Sequence, residues 1–178
     1  MNNYQDNSSI SKYDLNKFFE LVVKQHSEKL YKHIRRLVIV HEDANDILQD
    51  TFVKAYINFE SFRNESNIYT WLYRIATNLS LNFLKRKKRY FVFSALDYED
   101  TLIDKIESSE YFDGDETQKK LQKAILKLPL KQRIVFNMKY YDDLKYEEIS
   151  EILKTSVGAL KASYHHAVNK IEKYLNEN

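Results

Sequence analysis

Apolar residues recur every three or four positions through most of this chain, a spacing that belongs to helices rather than strands. Four such patterns precede residue 90. The first runs from Tyr13 to about Gln25, with Leu15, Phe18, Phe19 and Val22 on its apolar face. The second, about Ser27 to Ile39, turns Leu30, Ile34, Leu37 and Val38 inward, and the two can be continuous. The third, about Asp43 to Phe59, buries Ala44, Ile47, Leu48, Thr51, Phe52, Ala55 and Tyr56. After a polar loop, Glu60 to Asn67, the fourth runs from Ile68 to about Lys87 with Leu72, Ile75, Ala76, Leu79 and Phe83 inward.

A second group of helices starts near Thr117. Thr117 to Leu128 is amphipathic and ends at Pro129, which cannot continue a helix. Leu130 to Tyr140 forms another. Tyr146 to Leu153 is then followed by only Lys154, Thr155 and Ser156 before a helix from Val157 to about Leu175. In that last helix Val157, Leu160, Tyr164, Ala167, Ile171 and Leu175 form one apolar stripe. Its other face shows Lys161, His165, His166, Asn169 and Lys170. Two helices joined by so short a turn cross steeply, the geometry that presents a second helix to a DNA major groove. An ordinary αα-hairpin has the same spacing, and spacing alone leaves both open.

Composition supports the all-α class. Among 178 residues there are two glycines and one proline, too few for a fold built on tight β-turns. Fourteen tyrosines and ten phenylalanines supply bulky core and leave aromatics that could stack on bases. The absence of cysteine excludes disulfides and cysteine-held zinc. With no apolar run long enough to span a bilayer and a polar start, MNNYQDNSSI, the expected location is cytoplasmic.

Net charge is +2 and decides nothing, but its distribution does. Residues 85–89 read KRKKR. Between residues 97 and 116 stand Asp97, Glu99, Asp100, Asp104, Glu107, Glu110, Asp113, Asp115 and Glu116, with Lys105 the single base among them. This acidic stretch reads as a linker, flexible or only locally helical. The organisation expected is therefore two small helical domains, 10–93 and 117–178, joined by an acidic flexible linker over 94–116, the second domain a helix-turn-helix.

Several side-chain groups are candidates for chemistry. Asp43, Asp46 and Asp50 lie on one face of the third helix with Gln49 beside them. Like charges on one face bring no internal stabilisation, and spacing alone favours a merely solvated face over a docking one. In NIYTWLYRIATNLSLNFLKRKKRY, residues 67–90, aromatics, amides and bases share one helix. Rings can stack on bases, amides can read base edges and cations can hold phosphates. Trp71 or Tyr73 could equally be core. The loop from Phe62 to Asn67 is small and polar enough to pocket an extruded base, though a plain surface connection is the commoner case. His165 and His166 are adjacent and cannot chelate as an i, i+4 pair would. No phosphate loop, HExxH or nucleophile elbow occurs, so neither an enzyme nor a cofactor is expected.

Three segments together resemble RNA polymerase sigma factors of the small extracytoplasmic-function (ECF) type, a subfamily of the sigma-70 family. DANDILQDTFVKAY, from Asp43 to Tyr56, is similar to the family's D-A-x-D-[IL]-x-Q-[DE]-x-F-[VL]. YTWLYRIATNLSLNFLKRKKR resembles its TWLYRIA-x-N segment and basic helix end. LPLKQRIVFNMKYYDDLKYEEISEILKTSVGALKAS resembles its C-terminal DNA-binding domain. The matches occur in family order and cover nearly all of residues 15–175.

The resemblance implies roles for residues. Asp43, Asp46, Gln49 and Asp50 would dock on the clamp coiled coil of the β′ subunit of core polymerase, which reverses the solvated-face reading. The β flap is an implied second contact. Arg63, Asn64, Ser66, Asn67, Tyr69, Trp71, Arg74, Asn78, Lys85 and Arg86 would read and melt the −10 promoter element in region 2. Thr155, Ser156, Gly158, Ala159, Lys161, Ala162, His165 and His166 would meet the −35 element in region 4. The acidic linker would thread the polymerase's channels, and an anti-sigma factor, often membrane-anchored, would be a further partner. Where many members carry K-S-R-x-x-R-A-R, this chain has Ala162, Ser163, His166 and Val168, keeping only Lys161 among strong phosphate or guanine binders. Loss of bidentate arginine–guanine contacts, worth about 1–3 kcal/mol each, implies a different or weaker −35 preference. The histidines could substitute in part, more strongly when protonated. A stand-alone dimeric regulator and a pure polymerase-interaction protein are the competing readings. The first would need a receiver, ligand pocket or dimer seam in the N-terminal half, and none is visible there. The basic run and the steep helix crossing argue against the second.

Overall fold

The computed structural model describes residues 12–59, 62, 67–94, 98–108 and 116–177. They form eight helices and, among the described residues, no strand. These are α1 (Lys12–Val38), α2 (His41–Ile57), α3 (Ile68–Ser94), α4 (Tyr98–Glu107), α5 (Glu116–Leu126), α6 (Leu130–Tyr140), α7 (Tyr146–Leu153) and α8 (Val157–Glu177). The first two expected helices are one. The fourth expected helix, now α3, runs on past Lys87.

α1, α2 and α3 bury most of the faces that their periodicity marked; Phe18, expected on the apolar face of α1, is 39 % exposed. Val22, Leu30, Ile34, Leu37 and Val38 of α1 meet Ala44, Ile47 and Ala55 of α2 and Leu72, Tyr73 and Ala76 of α3. The α1–α2 connection is two residues long, and it forces Ile39 to φ 69. A β-branched side chain in the left-handed region is strained by about 1–3 kcal/mol. Burial holds it there. Ile39 packs with Leu102, Ile106 and Leu126, so the strained residue is also the seat for α4.

That packing changes the picture of the linker. The local helix the acidic stretch allowed is α4, and over Tyr98–Glu107 it is docked rather than free. Leu102 and Ile106, four apart, with Ile103 beside them, give it one apolar edge in an acidic sequence. Lys123 Nζ donates to Glu107 Oε1 at 2.6 Å and ties α4 to α5.

In the C-terminal unit Ala124, Ile125, Leu128, Phe136, Ala167 and Ile171 form a second core. The Phe136 ring stacks between Tyr140 and Tyr164, at 5.1 and 5.7 Å. α7 starts where the Lys145 N–H donates to Glu148 Oε2 at 2.7 Å, the glutamate half of a capping box. It stops at Lys154, whose φ of 52 turns the chain into the left-handed region. Ser156 begins α8, its Oγ accepting the Ala159 N–H at 3.4 Å.

The two units are not separate bodies. Ile134, Val135 and Met138 of α6, Leu144, Ile149 and Ile152 of the next turn and helix, and Leu160 of α8 belong to the same buried cluster as the α1–α3 core. α7 lies against α3, and α6 against α1.

Candidate nucleic-acid and polymerase interfaces

The solvent-facing surface of α8 follows from its stripe. Leu160, Ala167 and Ile171 are buried, so the opposite face points to solvent. Thr155, Ser156, Gly158, Ala159, Lys161, Ala162, His165 and His166 are all exposed on or just before its first half. A Cβ placed on Gly158 would meet nothing within 4 Å, so the helix presents open backbone there. His165 Nε2 and Asn169 Nδ2 stand 3.2 Å apart. Lys161 Nζ lies 5.8 Å from the Tyr146 ring, with Lys139 Nζ at 5.7 Å from the same ring. Two cations therefore flank the entrance to the turn, and Lys139 and Tyr146 are additions that spacing along α8 could not reveal.

The start of α3 is built differently from its sequence expectation. Asn67 is a cap: its Oδ1 accepts the Tyr69 N–H at 3.0 Å and its carbonyl the Trp71 N–H at 3.1 Å. Trp71 is 7 % exposed and packs on Phe62 at 4.9 Å. In this arrangement it is core and offers no reading surface. Helical periodicity sets it about 100° away from Leu72, so it is the loop residue Phe62, not the period, that makes it core. Tyr69 and Arg74 are half-buried, while Asn78, Lys85 and Arg86 are exposed. Arg63, Asn64 and Ser66 lie outside the described residues.

Tyr69 heads a row of rings on the α1–α3 side. Tyr69 and Tyr73 are 4.5 Å apart, and Tyr73 and His33 4.6 Å apart. Burial pushes both tyrosine hydroxyls above their usual range, so both stay neutral. Lys29 Nζ stands 5.8 Å from the Tyr69 ring.

On α2, Asp46, Gln49 and Asp50 are exposed, as a docking face requires. Asp43 is not equivalent to them. It is half-buried and faces Lys87 Nζ of α3 at 3.8 Å. Burial pushes its carboxyl above the ordinary range, with Lys87 opposing that rise. The exposed stripe continues instead through Val53 and Ile57, which are 57 % and 71 % exposed. At 100° per residue these two share the azimuth of Asp46 and Asp50. Exposed apolar residues directly behind a polar patch are a feature that a search for charge passes over.

Taken together, the molecule is a helix-turn-helix protein with a long, partly basic helix in a second unit and an acidic-to-apolar stripe on a third surface. Residues 22–90 match the family model described as Sigma-70 region 2, and residues 118–171 that described as Sigma-70, region 4. The chain is 33 % identical over 167 residues to the ECF RNA polymerase sigma factor SigW of Bacillus subtilis, covering 89 % of each chain. It is 30 % identical over 171 residues to the ECF RNA polymerase sigma-E factor of Escherichia coli, covering 88 % of this chain and 85 % of that one. Its fold is similar to that of the sigma factor RpoE of Bartonella quintana, solved with the anti-sigma factor NepR. The TM-score there is 0.71 at 22 % identity, over 90 % of this chain and 98 % of that one. CnrH, solved with the cytosolic domain of CnrY, gives 0.68 at 21 %, over 92 % and 90 %.

The chain belongs to the ECF RNA polymerase sigma factors. It is accordingly a regulatory factor of promoter-specific transcription initiation. Among the described residues no helix is long and apolar enough to cross a membrane.

Proposed function

We propose that this chain joins core polymerase through the α2 stripe and directs it to promoters by reading two DNA elements with two units. Residues 10–93 act as region 2, 94–116 as the linker and 117–178 as region 4. Asp46, Gln49 and Asp50 supply the polar part of a contact with the β′ clamp coiled coil, and Val53 and Ile57 its apolar part. Asp43 holds α2 to α3. In region 2, Tyr69, Arg74 and Asn78 meet the −10 element while Lys85 and Arg86 hold phosphates. In region 4, α8 enters the major groove at −35 with Lys161 on phosphate or guanine and His165 and His166 beside it.

The observation that carries this reading is the exposure of every residue proposed for −35 contact along one face of α8, whose opposite face is core. The chain itself is not a catalyst; polymerase performs the chemistry, in the cytoplasm. The similarly folded sigma factor solved with the anti-sigma factor NepR supports a comparable inhibitor as a partner here.

The test is transcription in vitro on a pooled promoter library by core polymerase with and without the protein. Fixed start sites that appear only with the protein, and sequence conservation at two elements upstream of them, are expected. Core binding without any promoter use would instead favour a polymerase-interaction protein.

A further inference from the structure

Along the exposed face of α8 the residues change character. Gly158, Ala159 and Ala162 carry one methyl or none, and His165, His166 and Asn169 follow them. Small side chains at the head of a helix let its axis come close to a groove floor, so that a short side chain further along reaches base edges. Nothing lies within 4 Å of where a Gly158 Cβ would stand, so the protein itself takes none of that room.

Two of these side chains are joined. Asn169 Nδ2 stands 3.2 Å from His165 Nε2, one turn earlier on the same face, and both residues are exposed. An amide nitrogen only donates, so Nε2 accepts and the ring carries its proton on Nδ1. Among the described residues, His165 Nδ1 and Asn169 Oδ1 make no hydrogen bond. His166, its ring 6.1 Å from that of His165, has no hydrogen bond to fix its tautomer. The pair therefore presents one N–H of settled identity, and Ala162, three residues before it, is its surface neighbour.

A methyl and a donor side by side have one match among the base edges of the major groove. Thymine shows a C5 methyl and, next to it, the O4 acceptor. Guanine shows acceptors without a methyl, while cytosine and adenine offer amino donors that would face the N–H. We propose that Ala162 and His165 together read a thymine in the −35 element, with Asn169 as the positioning residue that keeps the His165 proton on Nδ1. This deepens the −35 reading of α8 and rests on it. Discrimination comes from a fixed tautomer and a methyl, and Lys161 supplies the hold on phosphate that an uncharged pair cannot.

The test uses holoenzyme assembled from the full chain and core polymerase, on promoters selected from a pool randomised across the −35 region. A required T·A pair is expected. At that position deoxyuridine, which keeps O4 and lacks the methyl, should weaken binding about threefold. Methylated cytosine paired with guanine keeps the methyl but replaces the acceptor with an amino donor, and should weaken it about tenfold or more. Asn169→Ala should erase most of the methylcytosine penalty and leave the deoxyuridine penalty, and Ala162→Gly should do the reverse. Equal loss of affinity on all three templates would make Asn169 merely structural and overturn the proposal. Circular dichroism checks helical content, and if Ala162→Gly does not fold, Asn169→Ala decides. Nitrogen NMR of the imidazole in the free full chain is independent of any promoter. A proton on Nδ1 in the wild type, moving toward Nε2 in Asn169→Ala, is expected, and a wild-type proton on Nε2 overturns the proposal. Initiation indifferent to the whole −35 sequence sinks the reading of α8 and this proposal with it. A −35 element with no required thymine, or one that accepts both analogues as well as thymine, sinks the proposal alone.

Discussion

Lys161 is the one strong cation on the solvent-exposed face of α8 in its first half, the face proposed for DNA contact, and its neighbours there are Ala162, His165 and His166. A single lysine on phosphate contributes to affinity regardless of base sequence. Lys161→Ala should weaken binding to a −35 duplex on every sequence alike and lower the slope of log affinity against log salt by about 1. If specificity changes instead, Lys161 reads a guanine. On α2 the acids divide. Asp43→Asn should leave core-polymerase affinity within about twofold, since its carboxylate already serves Lys87. Ile57→Asp should reduce that affinity about tenfold or more, since it places a charge in the apolar part of the proposed contact. A competition binding assay against labelled wild type distinguishes the two, and equal effects would return Asp43 to the docking face.

At the scale of elements, periodicity disclosed most of the helices because each needs a single buried stripe. The α7–α8 turn was legible to the residue for the same reason: Leu153 and Val157 bound a stretch with no apolar position. What periodicity could not disclose depends on partners far along the chain. Tyr98–Glu107 looked like acidic linker because Leu102, Ile103 and Ile106 are few apolar residues among its acids, and their partner is a strained Ile39 whose φ no pattern announces. Trp71 looked like a reader because its ring suits stacking, yet Phe62 and the core claim it. The docking of α4 is correspondingly testable. Leu102→Ala should cost about 2–5 kcal/mol locally and raise amide exchange in α4 while α1–α3 keep their protection. Acid should loosen the same helix. Lys123 holds the Glu107 carboxyl below its ordinary value of 4.5, a depressed acid. The stability it lends is fully present above that value and is lost as pH falls through the lower, folded-state value. Glu107→Gln should abolish this pH dependence, leaving only the protection that Leu102 and Ile106 provide.

For the whole molecule, the resemblance of three segments disclosed the order of the units but not their embrace. Asp142 of the second unit is buried against the first, its Oδ2 2.8 Å from His33 Nδ1 and its Oδ1 accepting from Arg36. His33, Arg36 and Asp142 carry no shared period and are separated by the acidic stretch, so nothing in the sequence joins them. The embrace has an energetic signature. Met138, Leu144 and Ile149 of the second unit share a buried cluster with Leu30, Ile34 and Leu72 of the first. Two units that share a core unfold together if the interface contributes more than either unit could lose and remain folded. The expected calorimetric trace of the free chain is therefore one transition. Breaking the buried pair removes about 3–5 kcal/mol from the interface alone, leaving the α1–α3 core and the Phe136 core intact. Asp142→Asn should then split the trace into two transitions, the lower shifted most. A single transition merely displaced to lower temperature would mean that the shared apolar cluster, not the ion pair, couples the units, and that opening the chain requires apolar separation as its first step.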